Sequence, residues 1–260
     1  MSARKIFDAF SDVVRETANS KQRAAAARFK SSAVEGHAES PRDVFLEACS
    51  QIATVLESEG FRFAKSGPHL TKNAAGGVFK YRIAFQSSHN NVAGHHVMLW
   101  MHGNVYSVLL SEWRKRNLPQ RLANDHVAGG MAHLLRGVHA MVEWELADAA
   151  SRTSVIADAV EFIRGDVLPY FAQFGDPKAV VEALKERAIP AMWLIDQVEF
   201  AMCFGDQSDG QLVLDRFVRE HHDLHGEIAR VERDGFRHPG MPPSGYAEQV
   251  VFLLRNLGLQ

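Results

Sequence analysis

The segment RFVREHHDLHGEI, residues 216–228, gathers three histidines, one aspartate and two glutamates. Imidazole nitrogens and carboxylate oxygens are the usual protein ligands of zinc and its neighbours. On a helix, His221 and His225 stand four residues apart and project from one side. Two imidazoles at that spacing can chelate a metal, and a third ligand would complete a metal-dependent hydrolase. The zincin pattern fails on its chemistry. It needs a glutamate base directly after the first histidine, and that position holds His222, with Glu220 outside the pair. The adjacent His222-Asp223 fits another helical metal pattern, but that one needs an earlier helical histidine, and none occurs between Ala140 and Glu220. The competing reading is a solvated helix end. Histidine there meets the negative end of the helix dipole, and Gly226 would stop the helix. We take that reading, with His221 and His225 kept as alternative metal ligands.

The second concentration is upstream. Seven of the thirteen histidines, His89, His95, His96, His102, His126, His133 and His139, fall between residues 89 and 139. Strand faces can bring His96, Trp100 and His102 beside His133 and His139, a surface able to take a metal, an anion or an aromatic ligand. No spacing forces convergence, so half-exposed strand histidines are the simpler expectation. Gly129-Gly130 lacks the glycine spacing and lysine of a phosphate loop and reads as a turn or bulge. Ser87 and Ser88 lack the strained elbow of a serine hydrolase and read as a polar loop. Glu143 and Glu145 share a solvent face, without the burial that would separate their acidities.

These groups depend on the elements that carry them. Residues 1–40 read as a short amphipathic helix (Ile6, Phe10, Val13, Val14) and a linker. Pro41 opens a helix with Phe45, Cys49, Ile52 and Leu56 on one stripe, and Gly60 is its stop. In FKYRIAFQ, Phe79, Tyr81, Ile83 and Phe85 share one face by period two, leaving Lys80, Arg82 and Gln86 on the other. In HVMLWMH, Val97, Leu99 and Met101 oppose His96, Met98, Trp100 and His102. Val138, Ala140, Val142, Trp144 and Leu146 alternate as a strand after a turn at Arg136-Gly137.

From Ser151 the period is helical. Ile156, Ala159, Ile163 and Val167 form a stripe ending near Pro169. Asp176-Pro177 and Ile189-Pro190 start two helices, Ser208 caps another, and YAEQVVFLLRNLGL follows the breaker HPGMPPSG. QFGDP and CFGDQ repeat a Phe-Gly-Asp joint between helices. The expected architecture is α+β: a helix on an antiparallel sheet of four or five strands over residues 41–150, then a helical bundle with repeat-like hairpins over 151–260.

Composition narrows the functions. Apolar residues make up 46% and charged residues 23%, an ordinary globular mixture. A formal charge of −2 argues against general nucleic-acid binding. No apolar run approaches the roughly 20 residues of a membrane span, and the start of the chain lacks a secretory signal pattern. Two distant cysteines, Cys49 and Cys203, suit a reducing cytoplasm.

The ordered set LESEGF, IAFQSSHNN, SEWRKR, AGGM, EWELAD, VLPYFAQFGDP and CFGD resembles a bacterial family known as domain of unknown function 4304, over roughly residues 42–220. That resemblance implies an α+β front and a helical back. It supplies no activity and no catalytic residues, and it points to an inhibitory or immunity-like partner protein. The expectation is therefore a non-enzymatic cytoplasmic protein, without a cofactor, that binds another protein through Lys80, Arg82, His96, Trp100 and His102. A small-ligand sensor on the histidine-rich sheet face is a further alternative.

Overall fold

A computed structural model of the chain describes residues 39–118, 124–138, 140–237, 243 and 245–260. The expected N-terminal helix, His139 and most of the HPGMPPSG breaker lie outside the described residues. Glu39–Gln260 form a compact unit, and a single apolar cluster runs from Val44 to Leu259, through the change of period at Ser151.

Helix α1 spans Pro41–Leu56 and buries Phe45, Cys49, Ile52 and Leu56, as its stripe requires. A 3₁₀ turn continues it to Gly60, whose φ of 86° is the left-handed stop that glycine tolerates. The sheet follows: β1 (Arg62–Ala64), β2 (His69–Asn73), β3 (Lys80–Ser87), β4 (Met98–Tyr106), β5 (His126–Met131) and β6 (Trp144–Glu145). All pairings are antiparallel, in the order β1-β2-β3-β4-β5, with β6 also on β4. Helix α2 (Val108–Asn117) links β4 to β5.

The expected strand from Val138 to Leu146 is not formed. Strand β5 pairs with the His102–Tyr106 end of β4, while Trp144 and Glu145 pair with Leu99 and Met98. The two are halves of one edge strand, interrupted by residues 132–143. A 3₁₀ turn at Ala132–Arg136 begins the excursion, and Val138 and Met141 are exposed. The alternation there does not report burial, since Val138, Ala140 and Met141 are all exposed. Gly129-Gly130 lie inside β5. A side chain at Gly129 would stand 2.1 Å from the Gly103 carbonyl, so close backbone approach, rather than a turn, requires glycine there.

The second half is helical: α3 (Arg152–Phe162), a π turn at Ile163–Val167, α4 (Leu168–Ala172), α5 (Pro177–Glu186), α6 (Leu194–Phe204), α7 (Gln207–Glu220), α8 (His225–Asp234) and α9 (Tyr246–Leu257). Four boundaries differ from expectation. The α3 stripe continues past Pro169, because the wider π turn accommodates a proline that lacks its N–H. Helix α6 starts at Leu194 rather than beside Pro190. Asp206, not Ser208, caps α7, in a capping box with Asp209. Gly226 lies inside α8 and stops nothing. Asp176 caps α5 as expected, accepting from the Lys178 amide.

The helices cover one face of the sheet. Phe79 meets Phe174 and Phe200 at ring distances of 6.1 and 6.0 Å, and Tyr81 stacks on Phe171 at 4.8 Å. A side chain at Gly103 would collide with Leu135 and crowd Val167. Among the described residues no helix is long and apolar enough to cross a membrane.

Candidate interaction surface

Period two sends alternate residues of the strands to the face away from the helices. Register makes that face a grid, because directly paired residues point the same way. One row is Arg62, Thr71, Arg82, Asn104 and Gly129. Beside it run His69, Ala84, His102 and Met131 on one flank and Asn73, Lys80, Tyr106 and His126 on the other. Gln86 and Trp100 lie beyond His102. These side chains are exposed or half-buried, whereas Leu70, Tyr81, Ile83, Phe85, Leu99, Met101 and Val105 are buried beneath the helices.

The structure thus brings Lys80, Arg82, Trp100 and His102 onto one surface. His96 is not on it. It precedes β4, bridges to Val92, and its Nδ1 meets Glu145 Oε2 at 2.5 Å. Glu145 also accepts from the Val97 and Ala147 amides, so it ties loop ends together. Glu143 accepts from Trp100 Nε1 at 3.0 Å, holding the indole edge. With Asp148 and Asp158 these carboxylates line a depression of about 410 Å³. Asp148 accepts from Ser151 and Asp158 from Trp144, so each acid already serves a local bond.

His102 donates from Nε2 to Gln86 Oε1 at 2.8 Å. Burial, helped by the nearby His133, pushes its pKa below the usual imidazole range. At Arg82, Nε is buried without a hydrogen-bond partner. Among the described residues β1 to β5 contain no Asp or Glu, while Arg62, Lys72, Lys80 and Arg82 are cationic.

The HHDLH segment does not form one helical face. Helix α7 ends at Glu220, His221 is its cap, and a 3₁₀ turn at His222–Leu224 separates it from His225 at the start of α8. The His221 Nδ1 bonds to the Phe217 carbonyl at 2.9 Å, and its ring stacks on Phe217 at 4.1 Å. Among the described residues no three His, Cys, Asp or Glu side chains converge as a metal-ligand set.

The most polar buried cluster escaped the sequence reading. Arg114, wholly buried, donates from Nε to Glu199 at 2.6 Å and from Nη2 to Asp196 at 2.7 Å. Its Nη1 donates to the carbonyls of Asn124 and His126 at 3.0 and 2.6 Å. Burial lowers the Arg114 pKa and Asp196 opposes that shift. Next to it, Gln197 donates to the Met192 carbonyl and accepts from Arg216. Tyr170 bonds the Pro190 carbonyl, and the Gly129 amide bonds Ala191, whose φ is 55°. These bonds pin the loop before α6, and that loop displays Trp193 at 60% exposure. A side chain at Gly137 would lie 3.9 Å from Pro190, which sets the exposed Leu134 and Val138 segment beside this loop. One signal could have found the cluster. Helix α6 carries apolar residues on every side, and such a helix is buried, so its polar Asp196, Gln197 and Glu199 must be paired inside.

Both cysteines are free. Burial pushes the Cys203 thiol up to about 11 and raises Cys49 further, so neither is an activated nucleophile.

No protein-family model, curated protein or solved structure matches the chain.

Proposed function

We propose that this chain is a cytoplasmic, non-enzymatic protein that binds another protein through the open face of its sheet. One observation carries the reading. Arg62, Lys80, Arg82, Trp100 and His102 lie on that one register grid, and the five strands beneath them contribute no carboxylate. Aromatic and arginine side chains on a rigid scaffold are the usual anchors of protein interfaces. An inhibitory or immunity-like role is the form of binding that the family resemblance supports. The histidine-rich segment at the α7–α8 junction serves as a helix end in this reading.

Site-specific photocrosslinking tests it. A photoreactive residue at Gln86, on the sheet face, should crosslink a discrete companion in cells. The same residue at Glu182, on exposed α5, should not. The Arg62→Glu/Lys80→Glu variant, at two exposed positions, should lose the companion with its melting curve unchanged. Equal crosslinking from both positions would place binding elsewhere.

A further inference from the structure

The cations of the open face have an arrangement of their own. Arg62 and Arg82 flank Thr71 in one row. With strands about 4.8 Å apart, their Cα atoms stand about 10 Å from each other. Lys80 is two residues along β3 from Arg82, about 7 Å away. Among the described residues none of the three enters an ion pair, although Arg114, Arg136, Arg152, Arg164 and Lys185 all do. Between the three cations lie Thr71 and Asn73, neither of them charged. Arg82 is half-buried, and its Nε is buried without a hydrogen-bond partner. Glu143 reaches the face only at Trp100, four residues along β3 from Arg82 in register, about 13 Å away.

From this geometry we infer that Arg62, Lys80 and Arg82 form a carboxylate-binding cluster that docks an acidic segment of a partner protein. The inference rests on the sheet-face reading above and specifies its chemistry. A guanidinium fork accepts a carboxylate in two parallel bonds, and a lysine beside it adds a point charge. Acidic side chains on one face of a strand recur about every 7 Å, the separation of Lys80 and Arg82. A polynucleotide fits less well. Its charge is continuous and needs a track of cations, whereas this triangle is compact. Steering by such a patch weakens with salt.

Fluorescence anisotropy with the full chain decides the matter. The probes are a short glutamate-rich peptide and an oligothymidylate of similar charge, at low and at physiological salt. The peptide should bind more tightly than the oligothymidylate and weaken with salt. Arg82→Glu should reduce its affinity about tenfold. Arg62→Glu, an exposed position, should act in the same direction even if Arg82→Glu perturbs folding. Arg233→Glu, on α8, should leave binding unchanged. Tighter binding of the oligothymidylate, lost in the same variants, would keep the face and overturn the acidic-protein partner. Binding of neither probe, with crosslinking from Gln86 intact, would overturn the carboxylate chemistry alone. Loss of both results would overturn the sheet-face reading as well.

Discussion

Arg114 and Arg82 present the same guanidinium in opposite circumstances. Arg114 is wholly buried between α2, α6 and the start of β5, and its nitrogens meet two carboxylates and two backbone carbonyls. Arg82 lies on the open sheet face, half-buried, with Nε unpartnered and no ion pair among the described residues. The first has spent its hydrogen-bonding capacity on joining segments of this chain. The second has capacity left. A buried and fully paired charge fixes structure, whereas an accessible and incompletely paired one is available to something else. That distinction sets the architectural cluster around α6 apart from the proposed docking surface.

The largest expected effect breaks the first member of the pair. Arg114→Met removes the buried guanidinium that Asp196 and Glu199 both meet and should cost about 3–5 kcal/mol by urea unfolding. Adding Glu199→Leu should return part of that loss, because it removes one of the two buried carboxylates that Arg114 neutralises. An unchanged urea midpoint in Arg114→Met would show that the cluster does not hold the fold.

Arg82→Ala sharpens the contrast. Its stability should change by no more than about 0.5 kcal/mol, while affinity for the glutamate-rich peptide falls. A destabilisation rivalling that of Arg114→Met would make Arg82 architectural too.

Next comes pH. Burial holds both His102, on the open face, and His126, beside Arg114, below the usual imidazole range. The unfolded chain therefore binds these protons more readily than the folded one. Their contribution is present above the unfolded value of about 6.5 and is lost as pH falls through the lower folded values. Stability measured by urea unfolding should drop as pH goes below about 6.5, and His126→Gln should flatten that drop. A profile that rises toward acid would contradict the assignment.

The smallest effect is expected at Ala191, held at a φ of 55° by its bond from Gly129. Left-handed backbone costs about 1–2 kcal/mol for a residue with a Cβ, against about 0.5–1 kcal/mol of extra entropy for glycine. Ala191→Gly should therefore be neutral or slightly stabilising in a thermal melt. A clear loss would mean that the loop displaying Trp193 depends on the alanine itself.

Local pattern was a good guide wherever an element buries one face against a continuous neighbour. The stripe of α1, the alternation of β3 and the Asp176 cap were legible because each is decided within a few residues. The Val138–Leu146 strand misled for the converse reason. Its alternation is real in the sequence, yet β4 has room on that edge only for β5 and then for Trp144 and Glu145. His221 and His225 looked like a pair only while the helix was taken as unbroken, and the break at Glu220 removes that premise. Lys80, Arg82, Trp100 and His102 shared a face by parity alone, but their alignment with Arg62 required strand register.

By itself the sequence determined the α+β class, the change of period near Ser151 and the sides of β3 and β4 that face the core. Those properties follow from hydrophobic burial at short range, where spacing along the chain maps directly onto direction in space. Only the tertiary structure decided that Arg114 meets Glu199, 85 residues away, that one edge strand is split around residues 132–143, and that three cations converge on one side of the sheet. Pairings between distant segments are selected by the packing of the whole, and no local period encodes them.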